Sequence, residues 1–324
     1  MDSISIIRTP IESELEAFKE LYDSSLSSSN TLLDSVVAHI RQRSGKMMRP
    51  ILVLLVARLY GVVSPATLHA AVSLELLHNA SLVHDDVVDE STERRGQLSV
   101  NAIFNNKVAV LTGDYLLATS LVHAELTNSH QIIRLVSSLG QDLADGELLQ
   151  LSNVSNHSFS ETVYFDVIRK KTAALFAACT EAAAYSVGVS EEEVKLARLL
   201  GEYIGICFQI KDDIFDYYSS GEIGKPTGND MSEGKLTLPA LHVLNTLGDE
   251  KMCQLAFRIK SLDATDAEIS LFIDYVKKNG GIEYARQVMV DYRNKALDLL
   301  PSTADTTIKD ALTAYIDYVI ERKK

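Results

Sequence analysis

Residues 66–90 read ATLHAAVSLELLHNASLVHDDVVDE, and this stretch decides the fold. It is rich in Ala and Leu, contains neither Gly nor Pro, and predicts one long helix. The same reading extends outward. Residues 172–187 and 191–220 are helical apart from isolated glycines, and 266–278, 282–300 and 305–322 are helical patterns separated by Gly280-Gly281 and Pro301. Six prolines and sixteen glycines are few for 324 residues, so long stretches run without a breaker. At the N-terminal side, Thr9-Pro10-Ile11-Glu12 predicts a helix start, with Thr9 as cap, Pro10 in the first turn and Glu12 closing a capping box. Sustained apolar/polar alternation is missing, so a sheet has no obvious source. The expected fold is all-α, ten or more helices in a single domain over 1–324. Ala173-Ala174-Leu175-Phe176-Ala177-Ala178 is apolar nearly all round, as suits a helix inside a bundle or at a subunit interface.

Composition narrows the function. Lys+Arg is 31 against Asp+Glu 44, a net charge of −13, which argues against nucleic-acid binding because affinity for a phosphate backbone comes from clustered cations. Cys179, Cys207 and Cys253 are odd in number and far apart, so neither a disulfide framework nor a zinc site is expected, and a reducing cytosol fits. The apolar run Ile51 to Ala57 is far short of the roughly 20 residues that span a bilayer. No export signal is read at the N-terminus, and stable membrane insertion is not expected.

The chemistry is written in a repeated motif. His84-Asp85-Asp86-Val87-Val88-Asp89 is followed, 127 residues on, by Lys211-Asp212-Asp213-Ile214-Phe215-Asp216. Both are DDxxD, and both close long helical segments. On a helix, positions four apart differ by about 40° in direction and about 6 Å in rise. Asp85 and Asp89 therefore share a face, as do Asp212 and Asp216, while Asp86 and Asp213 turn away. Carboxylates crowded at a helix C-terminus repel one another and oppose the dipole, so a cation is expected there. Oxygen-only ligation suits Mg²⁺ rather than Zn²⁺, and the alternate-residue spacing of an EF-hand is missing. Arg94-Arg95-Gly96 lies behind the first copy, and Gly224-Lys225 and Glu233-Gly234-Lys235 lie behind the second. Metal on one side and charge-assisted bonds on the other make a site for a polyphosphate-like anion.

From Gly45 to Pro239 the chain resembles the trans-isoprenyl (polyprenyl) diphosphate synthases. The resemblance rests on Gly45-Lys46-x-x-Arg49-Pro50, on Glu75-Leu-Leu-His78 leading into the first DDxxD, on Arg94-Arg95-Gly96, on Gly113-Asp114 and on Gly146-Glu147-x-x-Gln150. It continues through Lys171-Thr172, Gln209 before the second DDxxD, Gly224-Lys225 through Asp230, and Glu233-Gly234-Lys235-x-Thr237-Leu-Pro239. Each motif alone is weak; their order and spacing are specific.

The resemblance implies condensation of an allylic diphosphate with isopentenyl diphosphate. By it, Asp85, Asp89, Asp212 and Asp216 hold Mg²⁺, three ions per site, and Lys171 and Lys225 join Asp85, Asp89 and Asp212 as the catalytic set. Arg94, Lys171, Thr172, Gln209 and Lys225 contact the allylic diphosphate, with Lys235 a further candidate. Lys46, Arg49, His78 and Arg95 hold isopentenyl diphosphate. Of the adjacent Lys170 and Lys171, only one can point inward, and Lys171 is favoured. His84 reads as a structural partner; Arg322-Lys323-Lys324 reads as a solvated cluster at the last helix turn, with closure over a diphosphate as the alternative.

Chain length is read at Ala80 and Ser81, where bulky aromatic residues in this family close the product tunnel. Both are small here, so a product of about C30 to C45 is expected, resembling octaprenyl or heptaprenyl synthases, with the tunnel floor near Ile132, Ile133, Leu135 and Val136. A short-chain farnesyl or geranylgeranyl synthase and a non-catalytic subunit of a heteromeric synthase are the alternatives. A class I terpene cyclase fits less well, because it lacks a second DDxxD and needs no isopentenyl diphosphate pocket; a plain helical scaffold fits least. A homodimer and a quinone side-chain pathway are expected from the family.

Overall fold

The computed structural model describes residues 3–42, 46–94, 96–154, 159–218 and 228–322. These are almost wholly helical, with one short antiparallel hairpin pairing Glu93 with Leu98 and Arg94 with Gln97. The all-α expectation holds, and the hairpin is the single described departure from it. The chain groups into two compact units, one formed by 1–141, 175–201 and 300–315, the other by 142–174, 202–299 and 316–324.

In the first unit, the helix Met48–Tyr60 forms the centre. Its residues Leu52 to Ala57 are all fully buried, which matches a sequence apolar on every face. The tyrosine hydroxyl of Tyr315 donates to the Met48 carbonyl at 3.0 Å and ties down its first turn. The next helix, Pro65–Val88, starts where the sequence provides every start signal: Ser64 caps it, Thr67 closes a reciprocal capping box, and Pro65 takes the first position. It lies antiparallel to the helix Asn106–Leu126. Ser73 meets Ser120, His69 meets His123, and His84 meets the Val110 carbonyl, pairs whose numbers run in opposite directions. The His69 and His123 Nδ1 atoms are 3.0 Å apart. Burial, and then the neighbouring His69, push His123 down to about 4.

The N-terminal expectation is corrected. Ser3–Arg8 is already helical, Thr9–Ile11 is a 3₁₀ turn, and Glu12–Ser25 follows with Ile11 at its cap and no capping side chain. The Thr9 hydroxyl donates back to the Ser5 carbonyl at 2.7 Å, so it is not available to cap forward.

In the second unit, the helices Leu238–Leu247, Asp266–Lys278 and Gly281–Asp298 pack together, and their residues Val243, Phe272, Val276 and Ala285 are buried. Asp266–Lys278 occupies the bounds expected from sequence, fixed by a capping box between Thr265 and Glu268. The segment expected as helix from 172 instead begins with a π turn, Arg169–Ala173, inserted between Glu161–Ile168 and Ala174–Val187. Cys179 and Cys207 are buried and Cys253 is partly exposed, all as free thiols. No helix among the described residues is long and apolar enough to cross a membrane.

Candidate active site

In the first unit the DDxxD motif sits at the end of Pro65–Val88, with Asp89 as the residue that ends the helix. The three carboxylates have different surroundings. Asp86 is buried at 1% exposure, and Arg94 Nε lies 2.5 Å from its Oδ1. The hairpin that carries Arg94 is thereby fastened to the motif. Asp85 is half-buried and Asp89 exposed, on the shared face that the spacing predicts. The His84 ring packs directly on Gly113, where a Cβ would overlap its Nε2, and lies 3.4 Å from Asp114 Oδ1. His84 is thus held by the helix opposite, and the Gly113-Asp114 pair is needed for that fit.

Arg49 and His78 come from the neighbouring helices Met48–Tyr60 and Pro65–Val88. The Arg49 guanidinium stands 5.1 Å from the Phe176 ring centroid, and its Nε is buried without a hydrogen-bond partner among the described residues. A guanidinium in this setting suits a charge-assisted bond to an anion. His78 is buried, Lys46 exposed with its carbonyl accepting from Arg8 Nη2 at 3.1 Å. Ala80 is buried, and Ser81 is half-buried with its hydroxyl donating to the His78 carbonyl. Ile132, Leu135 and Val136 are buried in this unit and Ile133 is half-buried.

In the second unit a cavity gathers Lys171, Thr172, Gln209 and Lys235, four of the residues expected on the allylic side. The π turn Arg169–Ala173 carries Lys171 and Thr172. Successive residues of a helix differ by about 100° in direction, so Lys170 and Lys171 face different ways. Lys171 Nζ lies 2.5 Å from Glu147 Oε2 and 3.3 Å from Gln150 Oε1 on the cavity wall, whereas Lys170 pairs with Asp145 on an exposed face. Gly146 makes the close approach possible: a Cβ there would sit 3.0 Å from the Lys171 backbone nitrogen. Thr172 donates to Gln209 Oε1 at 2.7 Å, and Gln209 Nε2 donates to Asp213 at 2.8 Å.

The second DDxxD divides its labour in the same way as the first. Asp213 is 2% exposed, and burial pushes its carboxyl well above the carboxylate range. Asp230, in the same cavity wall, is pushed up to about 7 by burial and by Asp216. Asp212 remains on the helix Glu191–Phe215 with its side chain 40% exposed. Asp216, just past the helix end, accepts the backbone N–H groups of Asn229 and Asp230 at 2.9 and 3.1 Å. Arg322 departs from the solvated-cluster reading. Its side chain is 11% exposed, and Nη2 lies 2.8 Å from Asp212 Oδ1. It is an anchored contact to the motif, not part of a solvated cluster. Lys260 was not singled out from sequence; it lies at a helix C-terminus yet is buried and lines the cavity. Gly45, Arg95, Gly224, Lys225, Lys323 and Lys324 lie outside the described residues.

Each acidic motif offers hard oxygen donors, and among the described residues no three His, Cys, Asp or Glu side chains close on one point. Such open sets fit Mg²⁺, which binds through one or two carboxylates and completes its octahedron with water and substrate phosphate. Asp85 with Asp89, and Asp212 with Asp216, could hold it.

Comparison with known proteins agrees with this chemistry. The profile of the family described as polyprenyl synthetase matches residues 30–276. Octaprenyl diphosphate synthase from Escherichia coli (strain K12) is 33% identical over 92% of this chain and 93% of its own length. Heptaprenyl diphosphate synthase component 2 from Geobacillus stearothermophilus is 36% identical over 90% of each chain. The crystal structure of geranylgeranyl pyrophosphate synthase from Bacteroides thetaiotaomicron is 67% identical and superposes with a TM-score of 0.88, covering 99% of this chain and 100% of that one.

Proposed function

The chain belongs to the polyprenyl synthetase family and is a prenyltransferase, a prenyl diphosphate synthase; from that premise we propose that it extends an allylic diphosphate such as farnesyl diphosphate with successive isopentenyl units to a product of about C30 to C45. In each cycle the allylic C–O bond breaks and pyrophosphate leaves with the electron pair. The double bond of isopentenyl diphosphate then forms the new C–C bond, and loss of a proton restores an alkene. Mg²⁺, when bound, supplies Lewis-acid neutralisation of the leaving pyrophosphate.

The chain's own groups do the rest. Asp85 and Asp89 bind Mg²⁺, and so do Asp212 and Asp216. Lys171, Thr172, Gln209, Lys235, Arg94 and Lys225 bind the allylic diphosphate, Lys171 and Lys225 by direct charge on the departing oxygens. Lys46, Arg49, His78 and Arg95 bind isopentenyl diphosphate without metal. The observation that carries this reading is the cavity that collects Lys171, Thr172, Gln209 and Lys235 beside the second DDxxD. The protein works as a homodimer in the cytosol, with its product serving a quinone side chain.

The long product is supported by the small side chains at Ala80 and Ser81 and by the octaprenyl and heptaprenyl relatives. A C20 product is the second reading, favoured by the 67% identity to a geranylgeranyl pyrophosphate synthase. The name "component 2" of the Geobacillus relative raises a heteromeric assembly, but every motif aspartate is present here, which favours a catalytic chain. Incubation of the pure protein with Mg²⁺, farnesyl diphosphate and labelled isopentenyl diphosphate, followed by chain-length analysis, tests all of this. Long polyprenols are expected; a C20 product would select the second reading, and no product without a partner would select the heteromeric one.

A further inference from the structure

We propose that Arg322 is an internal counter-ion for Asp212, occupying its carboxylate in the metal-free protein and weakening divalent-cation binding there. The inference rests on the reading of Asp212 as a metal ligand. Arg322 is held from several sides at once. Nη2 donates to Asp212 Oδ1 at 2.8 Å and to the Phe208 carbonyl at 3.0 Å, and Nε donates to the Val319 carbonyl at 3.2 Å. The guanidinium lies 3.9 Å from the Phe208 ring centroid and 5.5 Å from that of Phe215. A guanidinium cannot shed its proton to relieve crowding, so its charge is permanent.

The geometry makes the two cations rivals. The Asp212 side chain is 40% exposed, and one of its two oxygens is already in contact with Arg322. A divalent ion on the other oxygen would stand within a few ångströms of the guanidinium, where like charges repel most strongly. Lys211, next to Asp212 in the chain, adds a further positive charge to the same helix end. Asp212 therefore reaches neutrality without a metal, and the metal gains less there than the carboxylate alone would offer. Loss of the contact frees both the carboxylate and the local field.

The test is titration with Mn²⁺, followed by its electron paramagnetic resonance signal, without any diphosphate and at constant ionic strength. Wild type, Arg322→Gln, Arg322→Lys and Asp212→Asn are compared, with circular dichroism as the control for folding. Arg322→Gln is expected to tighten Mn²⁺ binding by about threefold to tenfold, the size of one half-exposed ion pair. Arg322→Lys, a cation without the planar fork, falls between, and it serves alone if the Gln variant does not fold. Asp212→Asn is expected to lose the share of Mn²⁺ bound at the second motif and to keep that at Asp85 and Asp89. Loss in Asp212→Asn with no tightening in either Arg322 variant overturns the counter-ion and leaves Asp212 as a ligand. Unchanged binding in Asp212→Asn overturns both.

Discussion

Tyr164 donates its phenolic hydrogen to Asp213 across 2.5 Å, in a place where the carboxylate is 2% exposed. The middle aspartate of the second DDxxD is thus a structural acid, tied to the helix Glu161–Ile168 and to Gln209, while its neighbours Asp212 and Asp216 face their own partners. Arg94 and Asp86 repeat the arrangement in the first motif. Removing one partner of a buried polar pair leaves the other unsatisfied, at a cost of about 1–3 kcal/mol. Tyr164→Phe is expected to lower stability by that amount in urea unfolding while Mg²⁺-dependent turnover survives. Stability equal to wild type would contradict the structural role.

Gly113 and His84 form a second coupled pair. A methyl group at 113 must displace the imidazole, and overpacking of this kind costs about 1–3 kcal/mol. Gly113→Ala should be destabilised by that much, and His84→Ala in the same chain should return most of it. A double-mutant cycle measures the coupling; additive effects would place His84 away from Gly113.

The His69–His123 contact sets an acid limit. The folded-state value of His123 lies at about 4, below its ordinary 6.5, because the imidazole is buried and then because His69 is close. The unfolded chain therefore binds more protons between these values, and stability must fall as pH drops from about 6.5 to about 4. His123→Gln, which keeps polarity but cannot titrate, should flatten that part of the stability curve. An unaltered slope in urea midpoints measured across this window would contradict the assignment.

Ala80 lies five residues before Asp85 and Ser81 four, so a ring at either position falls about one turn from the first motif. Ala80→Phe and Ser81→Phe are each expected to shorten the product, read by chromatography of the dephosphorylated polyprenols. Identical product lengths would reject an open tunnel at this level.

What the sequence could disclose follows from how local each signal is. Pro65–Val88 and Asp266–Lys278 were legible because caps, apolar periodicity and the absence of breakers all sit within the segments themselves. The DDxxD spacing gave the shared faces for the same reason. The start at Thr9 was misread because Ser3–Arg8 is helical ahead of it, and a hydroxyl can bond backward as readily as forward. Lys171 rather than Lys170 lines the cavity, and the π turn that carries both has no pattern of its own in the residues. Arg322 was misjudged because its partner Asp212 is 110 residues away, and only packing on Phe208 and Phe215 brings the guanidinium in from solvent. Asp86 and Asp213 were seen to turn away from their motifs, yet their partners Arg94 and Tyr164 were beyond reach of spacing.

The proposed function stands on each aspartate motif holding divalent ions for an allylic diphosphate. A crystal structure with Mn²⁺ and a non-reactive thiolodiphosphate analogue of farnesyl diphosphate tests it most directly, because anomalous scattering locates the ions without reference to any assumed chemistry. The account predicts peaks against Asp85 and Asp89 and against Asp212, each bridged to analogue oxygens. Peaks elsewhere, or an analogue bound with neither motif in contact, would contradict it.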